Sequence, residues 1–196
     1  MENMANEPAL QYNYISAEDY LQEERLAVEK HEYYQGEIFA MSGASVRHNR
    51  IQANTIGELY LKLKGKDCQP YGSDLRIHIP ENTLYTYPDI TIFCAPPDLT
   101  DEHFDTATNP TVIFEILSKS TRNYDRLSKF NLYRDIKSMN TYILIDSLSH
   151  SIELHTRNED NTWQLQDLKS LHDTLILKTL QIEILLKDIY EGVTFD

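Results

Sequence analysis

The sequence has little positive charge, and this shortage restricts the partners that it can bind. Its 196 residues include 18 Lys and Arg against 31 Asp and Glu, which gives a formal net charge of −13. Proteins that bind nucleic acid by themselves usually carry a basic surface, because neutralising phosphates supplies much of the affinity. The composition therefore predicts either no nucleic-acid binding, or binding through a local basic patch, a dimer or a metal ion.

Cysteines and long apolar runs are also scarce. The two cysteines, Cys68 and Cys94, lie outside any CxxC motif or Cys/His cluster, so a structural zinc site is not expected. Nothing in the sequence indicates secretion, so we expect a reducing, cytoplasmic location and interpret both cysteines as small core residues rather than reactive thiols. The longest apolar runs are too short to cross a membrane, so no membrane association is expected.

The length fits one domain with a substantial core and fits two domains poorly. Residues 1–13 are acidic and polar and resemble neither a signal peptide nor a transit peptide. We interpret them as a flexible lead-in to a single domain over residues 14–193.

Hydrophobic periodicity predicts helices that alternate with strands. We predict helices over 16–30, 45–64, 120–138 and 180–193, and strands around Gly36 and over 69–80, 85–94, 110–117 and 140–168, the last divided by turns. The strand over 110–117 is apolar enough to be buried on both faces. This order predicts an α/β or α+β domain with a mixed sheet flanked by helices.

Two carboxylates occupy strands, where acidic residues are costly. Asp89 opens the run "PDITIF", and Glu115 lies near the end of "PTVIFEIL". If the two strands are neighbours, both acids converge at one edge of the sheet, where they repel each other and are satisfied by a divalent cation. The alternative, that Asp89 caps a loop and Glu115 forms a salt bridge, is equally open.

The predicted helix after Glu115 carries charge on one face. Positions 125, 129, 132 and 136 share this face at helical spacing. Its apolar second half is expected to meet the sheet, which would direct Lys129 inward toward Glu115. The alternative is an exposed Asp125–Lys129 pair that contributes little.

Taken together, "YPDITIF", "VIFEILSKST" and the following Asp125, Lys129 and Tyr133 resemble the Uma-two family of restriction-endonuclease-like proteins. "HEYYQGEIFAMSGAS", "SDLRI" and "LQIEILLKDIYEG" agree with the family in the same order. The resemblance covers residues 14–193. No single motif is highly specific, but their order and spacing are.

The family is placed in the PD-(D/E)XK nuclease superfamily, so the resemblance implies a restriction-endonuclease-like fold and a metal-dependent nuclease site. By that resemblance, Asp89 and Glu115 are the acids that ligate Mg²⁺ or Mn²⁺, and the Ile116 carbonyl is a third ligand. Glu32 would complete the acidic site.

The lysine expected two positions after Glu115 is Leu117 in this sequence. The resemblance assigns its role to Lys129, since this lysine can migrate to the following helix within the superfamily. Second-tier candidates for the site are His48, Asp74, Ser118 and Tyr133.

Three functions are compatible with these residues. The first is a metal-dependent DNA endonuclease, acting as a homodimer because double-strand cleavage needs two sites. The second is a catalytically inactive, nuclease-like binding or regulatory module. The third is a metal-dependent hydrolase of a small phosphorylated substrate. A groove lined by basic residues would favour nucleic acid, and a closed acidic pocket would favour the third function; the candidate basic residues are Lys62, Lys64, Lys66, Lys119, Arg122 and Arg126.

Overall fold

A computed structural model describes residues 14–195, so the predicted lead-in over 1–13 lies outside the described residues. The helices in this range are α1 (Ala17–Glu24), α2 (Val46–Leu63), α3 (Phe130–Tyr133) and α4 (Leu186–Ile189), with a π-helix at Tyr124–Lys129 and a 3₁₀ turn at Lys178–Leu180. The strands are β1 (His31–Tyr34), β2 (Glu37–Ala40), β3 (Gln69–Gly72), β4 (Arg76–Ile79), β5 (Leu84–Thr86), β6 (Ile90–Phe93), β7 (Thr106–Ala107), β8 (Val112–Leu117), β9 (Thr141–Asp146), β10 (Ile152–Arg157), β11 (Trp163–Leu168), β12 (Thr174–Leu177) and β13 (Ile182–Leu185).

The strands form two larger sheets and one hairpin. The six-stranded sheet has the order β11-β10-β9-β8-β6-β3, and the five-stranded sheet has the order β2-β1-β5-β4-β7. Parallel pairs, β8 with β9 and β4 with β7, occur beside antiparallel pairs in both sheets. The predicted mixed α+β fold in a single domain is therefore confirmed.

Strand β8 lies at the centre of the core and is buried on both faces along its whole length, as predicted. Val112, Phe114 and Ile116 join the cluster that contains the apolar face of α2, whereas Ile113 and Leu117 join the cluster that contains α3. Because side chains alternate along a strand, Glu115 shares the second face and points toward the segment that holds the π-helix and α3.

Two predicted strands are each divided between the two sheets. The run over 69–80 splits into β3 and β4 at a turn after Gly72, and the run over 85–94 splits into β5 and β6 around Pro88. Proline cannot donate a hydrogen bond to a neighbouring strand, which favours a break at that position. Asp89 consequently lies where the chain passes from one sheet to the other.

Helix α2 matches its prediction, with Ser45 as N-cap, but three other helices do not. The helix predicted over 16–30 ends at Glu24, and the one predicted over 120–138 is reduced to the π-helix and α3. The C-terminal segment begins as strand β13, because Ile182 and Ile184 are buried while Glu183 is exposed, which is the alternation of a strand. None of the helices in the described range has the length and apolar character needed to span a membrane.

The interpretation of the cysteines as unpaired core residues is wrong. Cys68 and Cys94 form a disulfide across a sequence separation of 26. They directly precede β3 and follow β6, whose antiparallel register pairs Gln69 with Phe93, so the two cysteines come opposite each other. The bond depends on the pairing of β3 with β6, which the sequence pattern does not predict.

Candidate active site

A cavity of about 1270 Å³ brings together side chains from both sheets and from two helical segments. Its wall includes the hairpin β1–β2, the N-terminal part of α2, the ends of β6 and β8, and the π-helix. The four residues predicted as catalytic, Glu32, Asp89, Glu115 and Lys129, all line it. The structure therefore places in one cavity residues that are far apart along the chain.

Asp89 is held beside β8 by contacts from two elements. The register that pairs Ile90 with Phe114 brings Asp89 next to Glu115, as the sequence analysis predicts for neighbouring strands. The Ile116 backbone N–H donates a 2.7 Å hydrogen bond to Oδ2 of Asp89, and Nε2 of His48 lies 3.2 Å from the same oxygen. His48, a second-tier candidate, thus contacts a predicted metal ligand directly.

Lys129 lies between two carboxylates. Its Nζ is 2.8 Å from Oε1 of Glu32 and 2.8 Å from Oε1 of Glu115, and 4.0 Å from Asp125. Only 5% of the lysine side chain is exposed, so the alternative of an exposed surface pair is wrong. The inward reach of Lys129 is confirmed, whereas its catalytic role stays a prediction.

Hydroxyl groups complete the hydrogen bonds of these carboxylates. Tyr133, a second-tier candidate, is fully buried and donates a 2.7 Å hydrogen bond to Glu115. Thr86 donates to Oε1 of Glu32, and Tyr124 donates to its Oε2 at 3.3 Å. Neither Thr86 nor Tyr124 is predicted as a site residue from the sequence. The only signal for them in the sequence is proximity to predicted residues, since Thr86 is close to Asp89 and Tyr124 is beside Asp125.

Glu32, Asp89, Glu115 and Asp125 form a carboxylate cluster in the cavity. Burial and the neighbouring charges shift the pKa values of three of them. Burial, together with the charges of Asp125 and Asp89, raises the pKa of Glu115 to about 8. Burial, Glu32 and Asp89 also raise the pKa of Asp125. Burial acts against ionisation at Glu32 too, but the ammonium of Lys129 and the neighbouring hydroxyls lower its pKa. The pKa of Lys129 is raised because Glu115 and Glu32 outweigh the effect of burial.

Two second-tier candidates have other partners. Asp74 is exposed and pairs with Lys30 at 2.6 Å, so the structure does not bring it to the carboxylate cluster. Ser118 lines the cavity, but its Oγ accepts a 3.2 Å hydrogen bond from the backbone N–H of Thr121. Ser118 therefore stabilises the turn that follows β8.

The lining of the cavity is acidic. Its carboxylates are Glu29, Glu32, Asp89, Glu115 and Asp125, against two lysines, Lys30 and Lys129, which are both ion-paired. In the part of the chain that the structure describes, none of the six candidate basic residues lines it. Arg122 pairs with Asp146 instead, and Arg126 with Glu153. The basic lining that would favour nucleic acid is therefore not found in this cavity among the described residues.

Comparisons with known proteins agree with the resemblance seen in the sequence. The profile of the Uma2 family, described as "Putative restriction endonuclease", matches residues 17–187. Two uncharacterised proteins of Synechocystis sp. PCC 6803 are similar: slr1290 is 36% identical over 98% of this chain and 100% of its own length, and sll1609 is 37% identical over 79% and 87%.

A solved structure has the same fold. It is a crystal structure from Anabaena variabilis, described as "a putative nuclease belonging to DUF820". It superposes with a TM-score of 0.72 over 92% of this chain and 99% of its own, at 16% sequence identity. At that identity the likeness establishes the fold.

Proposed function

Because this chain belongs to the Uma2 family of restriction-endonuclease-like proteins, we propose that it is a metal-dependent endonuclease that hydrolyses phosphodiester bonds in DNA. The observation that carries the proposal is the convergence of Asp89, Glu115 and Lys129 in one cavity. Two acids and an ammonium at one site suit phosphodiester hydrolysis, which requires charge neutralisation at phosphorus and an activated water.

The donor atoms fit Mg²⁺ or Mn²⁺. Both ions prefer oxygen ligands, and the carboxylates of Asp89 and Glu115 with the Ile116 carbonyl supply them. Within residues 14–195, no group of three or more His, Cys, Asp or Glu side chains is arranged to hold a metal. Mg²⁺ commonly uses one or two carboxylates and completes its shell with water and substrate phosphate. The carboxylates of Asp89 and Glu115 with the Ile116 carbonyl would therefore suffice.

The raised pKa of Glu115, caused by burial and by nearby Asp125 and Asp89, indicates a site that is short of positive charge. When bound, a divalent cation would neutralise these carboxylates, polarise the phosphate and lower the pKa of a water molecule.

The remaining residues would position the reacting groups. Lys129 would stabilise the negative charge that develops on the phosphate, and Glu32 would hold the ammonium in place through their 2.8 Å contact. Tyr133 would fix the orientation of Glu115, and His48 that of Asp89. Such supporting contacts typically change metal affinity or activity by about 10- to 100-fold when removed.

A cleavage assay on supercoiled plasmid in Mg²⁺ and Mn²⁺ tests the proposal. We expect nicking by the full chain, loss of nicking in EDTA, and a decrease of at least about 100-fold in Asp89→Asn and Glu115→Gln. Glu58→Gln is the matched control, since Glu58 pairs with Lys62 on α2, outside the cavity. Cleavage that survives in both cavity variants would contradict the assignment.

The acidic lining favours one alternative, a hydrolase of a small phosphorylated substrate. Such a substrate carries few charges and needs no basic track along the protein surface. Hydrolysis of bis-p-nitrophenyl phosphate that depends on Asp89, without cleavage of any DNA, would support it. Absence of both activities with intact metal binding would support an inactive, nuclease-like module.

Cleavage of both strands of a duplex requires two active sites. We therefore propose a homodimer for that reaction, because a symmetric dimer supplies two equivalent sites. Light scattering coupled to gel filtration tests this assembly, and a monomer that linearises plasmid in a single binding event would contradict it.

A further inference from the structure

We propose that the cavity accepts DNA as an unpaired single strand, with a nucleobase stacked against Phe39 and Tyr124 beside the carboxylate cluster. This inference rests on the proposed nuclease function and extends it to the form of the substrate, in which the strand at each active site is locally unpaired even when the DNA as a whole is a duplex. It is drawn from two exposed aromatic rings, from the charge of the lining and from the size of the cavity.

The first ring belongs to the hairpin β1–β2. Phe39 pairs with Glu32 in the antiparallel register, so both side chains lie on the same face of the hairpin. Glu32 contacts Lys129 on that face, which places the phenyl ring at the carboxylate cluster. Phe39 is 45% exposed, lines the cavity and, within residues 14–195, joins none of the buried hydrophobic clusters. Its ring is therefore available to a ligand.

The second ring belongs to the π-helix. Tyr124 is 39% exposed, and its hydroxyl donates to Oε2 of Glu32 at 3.3 Å. Its ring centroid lies 6.0 Å from Nζ of Lys129. Two different elements thus present an aromatic ring next to the same glutamate, and every nucleobase offers a π-face to such rings.

The charge of the lining disfavours duplex DNA. A duplex carries one phosphate charge per about 1.7 Å of axis and a single strand one per about 3.4 Å, so a duplex has the higher repulsion from an acidic surface. Both lysines of the lining are already ion-paired, Lys30 with Asp74 and Lys129 with Glu32. Affinity must then come from contacts other than phosphate neutralisation, and stacking one base on an aromatic ring typically contributes about 5- to 150-fold in affinity.

The cavity is large enough for this arrangement. Its volume of about 1270 Å³ exceeds the range of about 300–1,000 Å³ that is typical of small-ligand sites. A nucleotide and part of its neighbour would fit, with the base at the rings and the phosphate at the acids. A base that remains paired within a duplex has no face free to stack on either ring.

Fluorescence anisotropy with three labelled 20-nucleotide probes tests the inference. The probes are a single strand, its duplex, and the same strand with abasic sites in place of its central bases. Ca²⁺ replaces Mg²⁺ to supply a cation that takes oxygen ligands. We expect the full chain to bind the intact strand at least about 10-fold more tightly than the duplex, and to lose about 5- to 150-fold on the abasic strand, which has the same phosphates.

Variants separate ring contacts from general effects. Phe39→Ala should weaken binding of the intact strand by about 5- to 150-fold and leave binding of the abasic strand unchanged. Tyr124→Leu should behave in the same way, and Tyr124→Phe should recover most of the loss because it keeps the ring. Tyr60→Ala is the matched control, since Tyr60 is a 60% exposed aromatic residue on α2 that is outside the lining.

The inference is overturned if the duplex binds as tightly as the strand, if the abasic strand binds as tightly as the intact one, or if the strand does not bind. Its failure differs from failure of the proposed function. Plasmid cleavage that depends on Asp89, without a preference for single strands, would retain the endonuclease and remove only this inference. Strand binding that depends on Phe39, without cleavage of any DNA, would retain this inference and remove the proposed endonuclease activity.

Discussion

Lys129 supplies the positive charge of a buried cluster that otherwise consists of carboxylates and hydroxyls. Its ammonium contacts Glu32 and Glu115, and both of these side chains are at most 10% exposed. Removing one partner of a buried ion pair typically costs about 3–5 kcal/mol, because the remaining charge loses both water and its counterion. The stability of the fold therefore depends on the same residue to which we assign a role in catalysis.

We predict that Lys129→Met lowers the free energy of unfolding by about 3–5 kcal/mol at neutral pH. Urea denaturation followed by circular dichroism measures the change. Lys119→Met is the matched control, because Lys119 lies in the exposed part of the turn after β8 and should change stability by less than about 0.5 kcal/mol. Equal stability of the two variants would show that the buried pair contributes nothing.

A second ion-pair group joins the loop after β6 to the rest of the molecule. Asp105 bonds to Arg25 at 2.8 Å and to Arg76 at 3.0 Å. Partial burial opposes ionisation of Asp105, but the hydrogen bonds from Arg25 and Thr106 and the charge of Arg76 outweigh it and lower its pKa below the ordinary value. Since the carboxylate is the form that the fold stabilises, its contribution is present above the ordinary pKa of an aspartate and is lost as the pH falls.

We predict that Asp105→Asn lowers the unfolding free energy by about 1 kcal/mol above about pH 5, a value that allows for solvent screening at this partly exposed site. The difference from the wild-type chain should shrink as the pH falls below about 4. Urea denaturation at a series of pH values measures it. A difference that is constant down to about pH 2 would contradict the assigned pKa shift.

Residue identity and spacing were enough to predict the principal acids and the lysine of the candidate site. Asp89 and Glu115 were found because a carboxylate is unusual in an apolar strand, and Lys129 because helical spacing directed it inward. Thr86 and Tyr124 were missed, since their contact with Glu32 depends on how the hairpin β1–β2 packs against the π-helix. No local pattern in the sequence encodes that packing.

At the level of elements, the pairing of β3 with β6 determines the state of the cysteines. The disulfide between Cys68 and Cys94 encloses β3, β4, β5 and β6, including the segment that carries Asp89. Closing a loop with a separation of 26 residues removes unfolded-state entropy worth about 3–4 kcal/mol in the chain-entropy model.

We predict that reduction by dithiothreitol, or replacement of both cysteines by serine, lowers the unfolding free energy by about 3–4 kcal/mol. Urea denaturation with and without the reductant measures the loss. The double-serine variant provides the control, because its stability should not respond to the reductant. Identical curves for the oxidised and reduced wild-type chain would show that the bond does not stabilise the fold.

Secondary structure was predicted well where a hydrophobic period extends over many residues, and poorly where the chain passes from one sheet to the other. Helix α2, with 18 residues and a serine cap, followed its prediction almost to the residue. The strands around Gly72 and Pro88 did not, because apolar alternation continues across each break while the hydrogen-bonding partners change. Periodicity reports which face is buried, but the choice of sheet is decided by long-range pairing.

At the scale of the whole molecule, the net charge of −13 and the acidic lining of the cavity act together. A protein that neutralises many phosphates shows affinity that falls steeply with salt, with a slope near −0.7 per contact for single strands in a plot of log K against log salt. The lining offers two lysines, and both are paired with carboxylates. Few counterions should therefore be released when the chain binds DNA.

We predict that the affinity for a single strand depends only weakly on salt. The slope of log K against log salt should lie between zero and about −1.4, the value for two phosphate contacts. Anisotropy titrations from about 50 to 200 mM NaCl at a constant concentration of Ca²⁺ measure it, and a homopolymer of lysine serves as a control with a steep slope. A slope steeper than about −4 would require an extended basic track elsewhere on the surface. It would then favour a duplex that binds outside the acidic cavity, with affinity supplied by phosphates rather than by stacked bases.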